Sequence, residues 1–170
     1  MKYLRYLIVA ICCCPLTLFA QDITGLWKGT MYNDSTKQYY EYEIVISKEK
    51  GRYSGFSHTW FVINDKKYYG VKKVKVNIAK NGKVIIVDDQ LIGNNYPVIP
   101  NKYVRQLNVL DLAAQGAEVV LNGSFVTNAT KDYREFSGQV NVKRESQYSQ
   151  SDLMDFLQKA NRNNDLTVVK

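Results

Sequence analysis

"YGVKKVKVNI", residues 69–78, alternates with a period of two: Val74, Val76 and Ile78 lie on one side of an extended chain, Lys73, Lys75 and Asn77 on the other. Successive side chains of a β-strand point to opposite faces, so this stretch reads as a strand with a core face and a water face. The same period returns along the chain between short clusters of turn residues, "NDST", "KEKG", "IND", "KNG", "AAQG" and "TNATKD". Gly, Asn and Asp there supply the positive φ or the side-chain hydrogen bonds that tight reversals need. Eight strands are predicted, over residues 24–32, 39–47, 53–63, 67–78, 84–92, 103–112, 118–126 and 135–144. Links this short join neighbours in up-and-down order, and eight strands suffice to close a sheet on itself. The expected fold is all-β, a single eight-stranded antiparallel up-and-down barrel with a short C-terminal helix.

The last strand, "EFSGQVNVKR", turns Phe136, Val140 and Val142 inward, and the same parity carries Arg144 inward. A guanidinium on a core face needs partners, and stacking on an aromatic ring is one way it is held. Beyond it, in "SQYSQSDLMDFLQKANRNN", the period changes: Leu153, Phe156, Leu157 and Ala160 form one stripe of a helix near residues 151–161. Ser149 with Asp152 suits its start and "NRNN" its end. A brief apolar tail, Leu166, Val168 and Val169, is a candidate for a further strand.

Residues 1–20, "MKYLRYLIVAICCCPLTLFA", have Lys2 and Arg5 in a basic start, an apolar run, and the small Ala20 before Gln21. That is the layout of a secretory signal peptide, too short and weakly flanked to be a stable membrane span. The expectation is therefore an exported domain over 21–170, secreted or periplasmic, with no integral span after removal of the leader. Lipid anchoring at Cys12 is the weaker alternative, because bulky Ile11 stands where a small residue is expected. Cys12, Cys13 and Cys14 all lie in the leader, so cleavage after Ala20 leaves no disulfide and no cysteine metal ligand. Losing Lys2 and Arg5 lowers the formal charge from +7 to +5, a mild excess that does not define a nucleic-acid protein. With about 150 residues remaining and three prolines in all, one monomeric domain without a linker is expected.

Chemistry is sparse. His58 is the only histidine, sharing a face with Phe56, Trp60 and Val62, and it reads as a core or rim residue. One imidazole and no mature cysteine leave no nucleophile, base and orienter, and no spaced ligand set for a metal, so no enzyme, cofactor or metal site is expected. Glu41 and Glu43 share a face opposite Tyr40, Tyr42, Ile44 and Ile46 and read as the solvated side of their strand. Asp88 and Asp89 are neighbours on a strand, so one of them leans inward, towards Lys72, Arg144 or a tyrosine hydroxyl; which one is open. Lys66, Lys67, Lys72, Lys73 and Lys75 interleave with Tyr68 and Tyr69, but export argues against nucleic acid, and these lysines read as a solvated face.

Gly25-Leu26-Trp27 at the head of the first strand, eight strands, an inward Arg144 and a helix directly after it together resemble the lipocalin and calycin group of barrels. The resemblance implies that Gly25 and Trp27 close the narrow end and that Arg144 packs across the tryptophan. The link over residues 32–39 is too short for the helical lid of fatty-acid-binding proteins. The T-D-Y loop motif of standard lipocalins is absent, and "DLAAQGA" stands in its place. The function implied is that of a carrier holding one small, mainly hydrophobic or sugar-like ligand, with His58, Trp60, Tyr68, Lys72 and Tyr42 as candidate wall or mouth residues. The alternative is a filled barrel that acts from its outside as an interaction or inhibitor module for an exported protein or glycan.

Overall fold

A computed structural model describes residues 22–98, 103–146 and 149–160. The leader with its cysteines, the "NRNN" helix end and the apolar tail fall outside these residues. Eight strands follow in order: β1 (Gly25–Asn33), β2 (Gln38–Glu49), β3 (Arg52–Ile63), β4 (Lys66–Ile78), β5 (Val84–Asn94), β6 (Gln106–Gln115), β7 (Glu118–Thr127) and β8 (Ser137–Arg144). Each pairs antiparallel with the next and β8 pairs back to β1, closing the barrel. Among the described residues one helix, α1 (Asp152–Lys159), lies against the outside. No helix among the described residues is long and apolar enough to cross a membrane.

Most element boundaries shift from the sequence expectation, and three of the shifts have a hydrogen-bonding reason. β6 starts at Gln106, because the Arg105 N–H is taken by the Asn128 side chain (2.7 Å). β8 starts at Ser137, because the Phe136 N–H donates to Thr127 Oγ1 (2.7 Å) instead of a ladder partner. The helix cap is Ser151, not Ser149: its backbone is extended and its hydroxyl accepts from the Met154 N–H (3.1 Å).

Cross-strand partners share a face, so the register sorts every side chain to the inside or the outside. Trp27 pairs with Ile44, Ile44 with Ser57, and Ser57 with Lys72, all on the inner face. One residue along each strand, Glu43 pairs with His58, His58 with Val71, and Val71 with Gly93, all on the outer face. The inner core is Trp27, Met31, Ile44, Ile46, Val74, Val76, Val84, Ile86, Leu110, Leu121, Phe125, Val140 and Val142. β8 comes close to β1 at Gly138, where a Cβ would lie 1.8 Å from the Tyr32 carbonyl oxygen.

The outer row Glu43–His58–Val71–Gly93 is the seat of α1. Leu153 and Leu157 bury themselves against Val45, Phe56 and Val71, while the Phe156 ring reaches Gly93 and Tyr69. The reading of Glu43 as solvated is therefore corrected: it is buried under the helix. Its carboxylate accepts from the Ser151 hydroxyl (2.8 Å) and the Leu153 N–H (2.9 Å) and pairs with Lys28 (3.1 Å). A carboxylate at a helix N-terminus meets orphan N–H donors and the positive end of the dipole, which offsets the cost of burying it. Glu41, two residues earlier, stays exposed on the same face.

Candidate functional site

From the narrow end upward, the interior is layered. At the bottom Trp27 is fully buried, donates from Nε1 to the Ile23 carbonyl (3.0 Å), and carries the Arg144 guanidinium 4.7 Å above its ring. That stacking follows from register, since Trp27 and Arg144 are direct partners across the β1–β8 seam. Arg144 also donates to the Asp22 carbonyl. Gly25 opens β1 with φ of +122°, a backbone that favours glycine. The apolar core fills the middle of the barrel.

Above it lies a polar belt. Lys72 pairs with Asp88, and Asp88 Oδ2 also accepts from the Gln106 N–H (3.0 Å). The Gln106 side chain donates to Asn108 Oδ1 (2.8 Å), and Asn108 with Ser57 hydrogen-bonds the Tyr42 hydroxyl. Burial pushes the Tyr42 hydroxyl well above its ordinary pKa, and the nearby Asp88 charge adds to it. A bulge decides which aspartate turns in: Val74 pairs with Asp88 and Lys73 with Gln90, leaving Asp89 as the extra residue. Asp88 is buried, whereas Asp89 pairs with Lys75 on the outside (2.6 Å). Lys72 thus leaves the solvated face assigned to it from sequence, because its parity matches Val74 and it meets a carboxylate inside.

At the mouth, aromatic rings gather around Phe61: Tyr96 at 5.4 Å, Tyr68 at 5.8 Å and Tyr40 at 6.4 Å between ring centres. Tyr96 sits over Gly70, whose missing side chain leaves the room. Burial raises its hydroxyl pKa to about 12, with Asp88 and Tyr133 adding to the shift. Beside this cluster the wall opens. The β2–β3 pairing stops at Tyr42 and Thr59, although both strands run on, to Gln38 and Ile63. The resulting cleft has a volume of about 630 Å³ and is bounded by Gln38–Glu41 on one side and by the β3–β4 hairpin on the other. The hairpin turn, Asn64 and Asp65, has φ of 50° and 60°, as a two-residue reversal requires.

The candidate residues named from sequence therefore separate. Tyr42, Tyr68 and Lys72 face the interior, while His58 and Trp60 stand on the outer face, His58 beneath α1 and Trp60 as a wall of the cleft. Gln106, Asn108 and Tyr96, which complete the belt and the mouth, were not singled out. Leu110 and Leu112 carry the signal that would have found two of them, because Gln106 and Asn108 share their parity in "QLNVLDL".

His58 lies 3.7 Å from Trp60 and 5.5 Å from Tyr69 between ring centres, and neither imidazole nitrogen has a hydrogen-bond partner. Burial pulls its pKa down to about 4; Asp152 opposes the shift and Lys67 adds to it. Glu43, its cross-strand partner, is already bonded to Lys28, Ser151 and Leu153. An unfolded imidazole titrates near 6.5, so as the pH falls the unfolded chain takes up the proton first. Stability is then complete above about pH 6.5 and falls by about 2 kcal/mol between pH 7 and pH 5 through this group. Urea midpoints at the two pH values, compared with those of His58→Phe, check this: the variant should lose most of the decline, and an equal decline in both proteins refutes it.

No family model matches the chain, and no curated protein or solved structure matches it significantly. The class is set by geometry: a closed, eight-stranded antiparallel up-and-down barrel with a short outer helix, compatible with a calycin or lipocalin-like fold.

Proposed function

We propose that the protein is an exported, lipocalin-like binding protein that takes one small ligand at the open end of its barrel. The observation that carries this reading is the cleft of about 630 Å³ where β2 leaves β3, within the size range of small-molecule sites. Its aromatic walls suit an apolar body, and Gln38, Glu41, Asn64, Asp65 and Lys67 in the lining offer polar groups of both kinds. The packed middle of the barrel supports a ligand position high, at the mouth, over one deep in the core. Binding is favoured over catalysis, because the imidazole of His58 has no hydroxyl or carboxylate within hydrogen-bonding distance. Export is the reading of the leader sequence.

Native mass spectrometry of the protein purified from its exporting cell tests the proposal. A reproducible mass excess that disappears on denaturation, and that shrinks in Phe61→Ala, is the expected result. A clean apo mass that persists after cell extract is added back overturns it. The second reading, a surface contact with an exported protein or glycan, draws on the exposed Tyr39 and Val62 in the lining of the same cleft. It predicts that Tyr39→Ser lowers capture of such a partner while the apo mass stays clean.

A further inference from the structure

We infer that the ligand of this cleft is an organic ammonium ion, and that the side chain of Lys67 occupies its place in the free protein; the inference rests on the cleft being the ligand site. Lys67 Nζ lies 5.3 Å above the centre of the Trp60 ring and 3.2 Å from Glu41 Oε2. An aromatic face combined with a carboxylate is the arrangement that recognises quaternary and alkyl ammonium groups, and here the protein fills it with its own ammonium. The hold on Lys67 is weak by construction. Its side chain is 54% exposed and that of Glu41 is 68% exposed, a situation in which ion pairs contribute little. A ligand cation can therefore displace Lys67, which returns to water.

The charge of the lining points the same way. Among the described lining residues Glu41 and Asp65 stand against Lys67 as the single cation, a formal charge of −1 in a chain that is +7. With Lys67 swung out, a bound cation would face two carboxylates, and an anion would be repelled by both. Trp60 is buried and held by the His58 ring, 3.7 Å away between ring centres, so it keeps its orientation when Lys67 leaves. Phe61 and Tyr39 supply further ring surface for the apolar part of the ligand. Inside the barrel the Lys72 ammonium is already neutralised by Asp88, which leaves no free interior cation for a carboxylate ligand among the belt residues.

Three probes that share one ring and differ in charge provide the test: benzyltrimethylammonium, benzyl alcohol and phenylacetate, titrated at fixed ionic strength. The readout is the NMR signal of the Trp60 indole N–H; the other tryptophan, Trp27, is buried at the far end and serves as the internal control. The cation should shift the Trp60 signal saturably while leaving Trp27 in place. Lys67→Met should tighten its binding about fivefold by removing the competing ammonium from Trp60 and Glu41, and Glu41→Gln should weaken it roughly threefold. Both positions are exposed, and the spectrum itself reports whether each variant is folded. If benzyl alcohol or phenylacetate binds at Trp60 as tightly as the cation, the cleft remains a ligand site but the ammonium assignment is wrong. Weaker cation binding in Lys67→Met removes the idea of Lys67 as a stand-in. No response to any probe, in the native chain or in Lys67→Met, overturns the ammonium site and the cleft reading together.

Discussion

Trp27→Ala should lower the unfolding free energy by about 4 kcal/mol, close to the whole stability of a marginal domain. Trp27 is the largest fully buried side chain, and its loss leaves a void at the narrow end that the rigid strand seam cannot collapse to fill. It also strands Arg144, whose guanidinium lies over the indole and whose Nε has no hydrogen-bond partner. Urea unfolding followed by circular dichroism measures the change. Arg144→Met, which keeps the aliphatic stem, should cost only about 1 kcal/mol, the usual worth of such stacking together with a hydrogen bond. A double-mutant cycle then yields the coupling between the two. A cost below about 1 kcal/mol for Trp27→Ala would mean that the seam closes without its tryptophan.

The second large effect belongs to the polar belt. Asp88→Leu should destabilise the barrel by about 3 kcal/mol, because the Lys72 ammonium and the Gln106 N–H both lose their acceptor inside the wall. The side chains of Lys72 and Asp88 are 26% and 7% exposed, so the lysine can relieve part of its cost by leaning towards the mouth. Lys72→Met combined with Asp88→Leu should recover most of the loss, since replacing a buried pair by apolar side chains is often close to neutral. Thermal melts of the two singles and the double decide it. Equal loss in the double and in Asp88→Leu would show that the Gln106 N–H, not the ion pair, governs the site.

Much of this architecture was legible in the chain because it rests on local rules. Turn residues at short intervals and a period of two specify eight antiparallel strands, and Val74, Val76 and Ile78 mark one inner face without help from any neighbour. β3 shows where such rules end. In "GFSHTWF" the bulky residues Phe56, His58 and Trp60 point outward beneath α1 or into the cleft, while the small Gly55, Ser57 and Thr59 point inward. Alternation identifies two faces, but it labels the larger, more apolar face as the core; a helix laid on the outer wall reverses that label. Glu43 was misplaced for the same reason, since a carboxylate reads as solvated until a helix N-terminus arrives to bond it.

The sequence by itself determined the closed all-β class, the strand order, and the inward parity of Arg144, because pleating and turn chemistry act between residues close in the chain. The tertiary structure alone decided that Asp88 and not Asp89 enters the barrel, that His58 lies under α1, and that Lys67 covers Trp60 across from Glu41. Each of these depends on a bulge, a docked helix or a ladder that stops early. Such features arise from the fit between segments far apart in sequence, where no local period records them.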